Sequence, residues 1–222
     1  VEGDSIYVKF PVVDSKNLFN VEDAYAVIWT TTPWTLPGNV AVVAGPKYKY
    51  VLMECEIEKD GAKAFEKYLV LRDLKDDILE KIGADKESVR ILETFDSEEI
   101  EGISLKHPFI DKTVKIYLGS KFSVDVDNTT GTGLVHCAPG YGNEDYKLSL
   151  EHPELEIIVA VDDKGHQTKD AGKYDGMYYK KSNKEIKKDL EENGLLLYSE
   201  SRMHSYPHCW RCKNEIIYRA AK

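Results

Sequence analysis

Short runs rich in Val, Ile and Tyr, separated by polar turns, dominate the pattern of apolar positions along the chain. Residues 5 to 13, 24 to 31, 40 to 44 and 49 to 55 are dense in these types and are bounded by Gly, Pro, Asn or Asp, as strands and their turns are. Runs of the same character lie at 67 to 71, 89 to 95, 114 to 119, 132 to 138, 155 to 161 and 195 to 201. So many strands with so few helices between them predict an α+β, mostly β fold, its sheet closed or nearly closed into a barrel with a few peripheral helices.

Three segments change to helical spacing. The clearest starts with a capping-box pattern at Ser182 and Glu185, puts Ile186 and Leu190 on one face and stops at Gly194. Another covers about 72 to 82. A third starts near Asn143, where NEDYKLSL offers an Asn cap and an acidic first turn. The expected organisation is one domain over 1–203 and a short segment, 204–222, that holds Cys209 and Cys212.

Composition narrows the setting. With 222 residues, 42% hydrophobic and 31% charged, the chain suits a globular domain with a sizeable core. No apolar run approaches the roughly 20 residues of a bilayer span, and VEGDSIYVKF lacks the layout of a signal peptide, so a cytoplasmic protein with no membrane partner is expected. Four cysteines, only two of them close together, make no disulfide framework. A net charge of -9 argues against a general nucleic-acid coat. Residues 72 to 101 alone contribute -6 of it, which leaves room for a small basic RNA-contacting face elsewhere.

Two stretches carry candidate chemistry. In Trp29 to Asn39, WTTTPWTLPGN, three hydroxyls end a strand and the following prolines predict a rigid loop rather than a helix. Such a loop either presents hydroxyls and free N–H groups to a ligand or uses its threonines to satisfy its own backbone. In Gly131 to Asp145, GTGLVHCAPGYGNED, a strand bearing His136 runs into a glycine-rich turn that opens a helix. Asp145 either holds a substrate ammonium there or complements the helix dipole. His136 either shapes a pocket or is a hydrogen-bonded structural residue.

Taken together, these stretches, about 95 residues apart, resemble the editing domain of isoleucyl-tRNA synthetases, members of the class I synthetases. The resemblance continues through VDDKGHQT at 161 to 168, the stretch 174 to 178 and HSYPHCWRC at 204 to 212. Leucyl enzymes usually carry Arg and Asp at the places of Pro33 and Trp34, and valyl enzymes a lysine at the place of His136. The departure here is Asn143, where many relatives are acidic.

The resemblance implies post-transfer editing, the hydrolysis of the ester in mischarged valyl-tRNA(Ile). An isoleucine pocket gains only about 1–3 kcal/mol from one methylene, so a second, smaller site must remove the valine errors. Thr30, Thr31 and Thr32 would hold the terminal adenosine and the ester, with Trp34, Thr35 and Asn39 completing the loop. Gly133, His136 and Ala138 would line the other side, His136 as the wall that excludes isoleucine. Asp145 would bind the α-ammonium, and Asp145, Thr31 and Thr32 form the catalytic set around a positioned water. By strand alternation Cys137 points away from the face of His136, against a Cys-His dyad.

The implied partners are the 3′ end of tRNA(Ile) carrying the wrong amino acid and the rest of the synthetase, and no cofactor is implied for editing. Cys209 and Cys212 are half of a zinc ribbon, which the resemblance completes only in the full-length enzyme; His204 and His208 are the local candidates for further ligands. Three other readings stay open: a valyl-type editing domain, a non-catalytic module that binds the tRNA end, and a zinc-ribbon interaction protein.

Overall fold

The computed structural model describes residues 2–59, 61–85, 87–203 and 207–221. Its strands are β1 (Glu2–Asp14), β2 (Ala24–Thr30), β3 (Ala41–Ala44), β4 (Lys49–Lys59), β5 (Ala62–Leu71), β6 (Arg90–Asp96), β7 (Ser104–Lys106), β8 (Thr113–Leu118), β9 (Leu134–Cys137) and β10 (Leu196–Met203). The helices are α1 (Lys75–Lys81), α2 (Ser97–Ile100), α3 (Asn143–Glu151) and α4 (Tyr179–Glu192).

All ten strands belong to one mixed sheet, ordered β6-β4-β5-β2-β1-β7-β8-β3-β9, with β10 beside β1. The long strand β1 joins the two halves. It pairs with β2 over Ile6 to Pro11, with β10 from Glu2 to Val8 and with β7 at Val12 and Asp14. The halves come together where the Leu71 N–H donates to Thr132 O at 2.8 Å and the Tyr50 hydroxyl donates to Gly133 O at 2.7 Å. The expected mostly β, barrel-like fold with few helices is what the chain adopts, and among the described residues the end strands β6 and β9 do not pair, so the sheet stays open.

Alternation along β3 explains how the sheet buries both faces. Val42 and Ala44 enter the main core with Ile6, Phe10, Ile28 and Leu69, while Ala41 and Val43 face a second cluster. That cluster contains Cys137 of β9 and Leu148 of α3, so α3 is held against the sheet next to the end of β9. A third, small cluster of Trp34, Val161 and Tyr179 fixes α4 over the loop that follows β2.

Several local expectations are corrected. Pro33–Gly38 is a buried 3-10 helix rather than a loop, because Pro at its start needs no N–H partner and the Thr35 and Asn39 N–H groups close i to i+3 bonds. The run at 155 to 161 forms no strand beyond a bridge between Val161 and Gln167. Leu155, Ala160 and Val161 are buried while Ile157 is exposed, and Ile158 O is packed on the glycine turn at Gly140 and Ala160 O accepts from Thr168 N–H, so no ladder forms. Helix α4 starts at Tyr179, where the Tyr179 N–H is taken by Gly165 O, three residues before the predicted cap. Ser182 therefore sits inside the helix. The cap of α3 is Gly142, one residue before Asn143. Part of the segment after residue 207 packs on the rest of the chain: Ile217 joins the Trp34 cluster and the Ala220 N–H donates to Gly140 O at 2.7 Å.

Candidate functional site

The end of β2 delivers three threonine hydroxyls to the 3-10 helix. Thr30 Oγ1 accepts from the Thr32 N–H at 3.1 Å, which turns the chain at the first hydroxyl. Thr35 Oγ1 donates to Thr32 O at 2.8 Å and lies 3.1 Å from His136 Nε2. A hydroxyl has a single hydrogen to give, so with that hydrogen on Thr32 O the contact requires His136 to donate from Nε2. Nδ1 is then the bare acceptor, and it is buried with no partner among the described residues. Burial holds the His136 imidazole down to about 4, so it is neutral at physiological pH.

Distant residues lock this loop. The Trp34 N–H donates to Asn183 Oδ1 of α4 at 2.8 Å, and Gln167 Nε2 donates to Trp34 O and Ser182 Oγ, each at 3.0 Å. The Trp34 ring meets Tyr141 and Tyr179 edge to face, with centroids 5.2 and 5.4 Å away. Below, His107 Nε2 lies 3.0 Å from Leu36 O, and its Nδ1 accepts from the Ile110 N–H at 3.0 Å, so Nε2 carries the hydrogen. Lys112 Nζ donates to Asn39 O.

On the opposite side, β9 leads into the glycine turn and α3. Asp145, in the first turn of α3, accepts the Ala138 N–H at Oδ2 over 3.0 Å. A side chain at Gly142 would put its Cβ 2.8 Å from that oxygen, so anything larger than glycine there would push the carboxylate from its place. Burial raises the Asp145 pKa, the Ala138 N–H lowers it and Glu144 raises it, with burial the strongest. Among the described residues no cation pairs with this carboxylate. It is a partly buried acid held in place and not neutralised.

The two sides face each other across a cavity of about 480 Å³, within the range of roughly 300–1,000 Å³ usual for small-molecule sites. Thr32, Trp34, Thr35, His136, Ala138 and Asp145 all reach its wall. Thr30, Thr31, Asn39 and Gly133 do not. Asn39 is fully buried and its Nδ2 donates to Ala41 O at 2.8 Å, beneath the loop. Gly133 faces Leu71, where an added Cβ would lie 2.2 Å from the leucine Cβ. Sequence reasoning missed part of the wall: Tyr141, Asn183, Lys180, Lys184 and the stretch Glu215 to Tyr218. Tyr141 lay inside the quoted motif, but nothing in the α4 sequence signals which of its polar residues meets the cavity.

Cys137 is buried in the second cluster, away from the cavity, and burial pushes its thiol pKa up, with a further rise from Asp145. It is a packing residue. Cys209 and Cys212 are free, and N–H groups of Cys212 and Arg211 pointing at the Cys209 sulfur lower its pKa. The described residues hold no group of three or more His, Cys, Asp or Glu suited to a metal, so they do not make a complete zinc site. His204 lies outside the described residues. No helix among them is long and apolar enough to cross a membrane.

Relatives were found in two comparisons. The chain is 43% identical over 218 residues to the isoleucine–tRNA ligase of Petrotoga mobilis, covering 98% of this chain and 21% of that protein. The isoleucine–tRNA ligases of Caldicellulosiruptor bescii and Moorella thermoacetica are 43% and 39% identical, each over 98% of the chain and 23% and 22% of their own lengths. The chain thus spans about a fifth of the curated relatives it matches. No family model matches. Among solved structures, the P. knowlesi cytosolic leucyl-tRNA synthetase editing domain superposes with a TM-score of 0.64 at 14% identity, over 89% of this chain and 97% of that one. The corresponding P. falciparum domain gives 0.62 at 13%, over 90% and 99%. At such identity the structural likeness concerns the fold.

Proposed function

Because the chain belongs to the isoleucine–tRNA ligase family as a segment with the editing-domain fold, we propose that it hydrolyses the ester joining a wrongly attached valine to the 3′ end of tRNA(Ile). The observation that carries this reading is Asp145. Its carboxylate is anchored by one oxygen to the Ala138 N–H, lies in the cavity wall and has no cation paired with it among the described residues. An aminoacyl ester brings the missing cation, its free α-ammonium, within reach of a group whose raised pKa such a partner would lower again.

With the ammonium on Asp145, the ester carbonyl faces the Thr32 and Thr35 side of the cavity. A water positioned there attacks the carbonyl carbon, the bond to the ribose oxygen breaks and that oxygen takes the proton. Valine and tRNA with a free 3′ hydroxyl are released. The ester is already activated, so positioning and hydrogen bonds to the developing oxyanion supply most of the lowering of the barrier. Cys137 packs on the other face of β9, and no covalent intermediate is invoked.

The test is Asp145→Asn in a full-length ligase carrying this segment. Asparagine keeps an acceptor for Ala138 and removes only the charge. A hydrogen bond to a charged group contributes about 1.5–3 kcal/mol, so deacylation of valyl-tRNA should fall roughly 10- to 100-fold with thermal stability retained. Undiminished deacylation would refute the role of Asp145 and with it this reading.

A further inference from the structure

The lysines of α4 are not used by the hydrolysis described above. Tyr179 to Lys188 holds five lysines against one acid, Glu185, in a chain whose net charge is -9. Lys180, Lys184 and Lys187 follow i, i+4, i+7 spacing and so form one edge of the helix, Lys180 and Lys184 being about 6 Å apart along its axis. This edge opens directly onto the cavity. Lys180 and Lys184 belong to its wall, and so does Asp4, the partner of Lys187.

We propose that this edge of α4 is a phosphate track for single-stranded RNA, holding the phosphodiesters next to the terminal nucleoside. The proposal rests on the editing reading for what the RNA end does in the cavity, and on the charge pattern for how the end is held. The acids that face the edge do not neutralise it. Glu215, itself largely buried, pairs with Lys180 at 2.8 Å, and Asp4 pairs with the partly buried Lys187 at 3.6 Å. In each pair one member stays open to solvent, Lys180 in the first and Asp4 in the second, so solvent screening weakens the pairing and a phosphate can compete for the lysines. Lys184 makes no ion pair among the described residues. Glu185 and Asp189 belong to the helix itself, and Asp189 is held by Lys173 at 2.7 Å.

The track is rigidly placed relative to the hydrolytic side of the cavity. Asn183, between Lys180 and Lys184, accepts the Trp34 N–H, while Ser182 and Ile186 anchor the buried face of the helix. Phosphates held on the edge therefore fix how far the terminal ribose reaches towards Thr32 and Asp145. Such contacts read no sequence. They set register and make binding salt-dependent.

The experiment titrates a 5′-labelled six-nucleotide single-stranded RNA with a free 3′ hydroxyl into this chain, by fluorescence anisotropy at several salt concentrations. Each single-strand phosphate contact contributes a slope of about -0.7 in log affinity against log salt. The Lys180→Gln/Lys184→Gln chain should lose about 1.4 from the slope and bind roughly 10-fold more weakly at low salt. Lys181→Gln/Lys188→Gln removes the same charge from a neighbouring face and should leave the slope unchanged. Equal effects of the two pairs, no effect of either, or no RNA binding at low salt would each overturn the proposal. A second arm measures binding of non-hydrolysable 3′-valylamino-adenosine, which has no phosphate, to the parent chain and to Asp145→Asn. Its failure to bind the parent would remove the editing reading and leave the RNA titration standing as a separate result.

Discussion

His136 presents to the cavity a ring that burial keeps neutral and that Thr35 holds by its Nε2, so the imidazole is a fixed wall and not a proton carrier near pH 7. A fixed wall discriminates by collision. Valine and isoleucine differ by a methylene worth only about 1–3 kcal/mol in attraction, whereas steric exclusion from a close-packed site discriminates more sharply. Replacing His136 with Ala should therefore admit the longer side chain, and the variant ligase should deacylate correctly charged isoleucyl-tRNA while still clearing valyl-tRNA. Following both esters in parallel checks this; sparing of isoleucyl-tRNA by the variant would assign His136 to structure alone. At this scale the sequence was informative where partners are close along the chain. Asp145 and Ala138 lie seven positions apart within one quoted motif. The supports of the loop were not legible, because His107 and Lys112 meet Leu36 and Asn39 across 71 and 73 positions and no local pattern announces such pairings.

The 3-10 helix Pro33–Gly38 and α4 act as one unit, joined by the bond from the Trp34 N–H to Asn183 and by the edge-to-face contact of Trp34 with Tyr179. Asn183→Ala leaves a buried N–H without its acceptor, which costs about 1–3 kcal/mol. For a domain of this size the midpoint of thermal unfolding should drop by about 2–12 °C, since each kcal/mol moves it roughly 2–4 °C. Deacylation should fall as well, because Thr32 and Thr35 sit on the loop so released. An unchanged midpoint would show that the loop needs no anchor on α4. Elements proved legible where pattern and partner agree, as in β3, whose four apolar residues are buried on both faces. The run at 155 to 161 has the same composition, yet its backbone is engaged by the glycine turn and by Thr168. Ser182 and Glu185 matched a capping box, but the helix extends back to Tyr179, because Gly165 offers an acceptor that no helical periodicity reveals.

Across the whole molecule the site depends on an open sheet whose halves are joined by β1 and whose interior holds charged and titratable groups. Lys9 and Glu66 pair at 2.6 Å, with Tyr68 donating to the same carboxylate at 2.8 Å, which satisfies an otherwise costly buried pair. His107 and His136 are buried too, and among the described residues neither has a carboxylate paired with it. Burial lowers the first to about 3 and the second to about 4, against an ordinary value near 6.5. The sign follows from the depressed folded values: the unfolded chain takes up protons that the folded chain refuses. The stability these rings contribute is complete above about pH 6.5 and is lost as pH falls towards 4. Each proton amounts to about 1.4 kcal/mol per pH unit, so the two rings together should remove about 3 kcal/mol between pH 6.5 and 5. Asp145 acts in the opposite direction, because burial raises its pKa and lets the folded chain hold a proton that the unfolded chain has already released, which subtracts from the slope of the two rings. Urea midpoints at pH 7, 6 and 5 should decline steadily, and His136→Ala should reduce the slope by about one proton. Midpoints that stay flat from pH 7 to 5 in the parent chain would mean that these imidazoles are hydrated in solution, and the fixed wall at His136 would go with them.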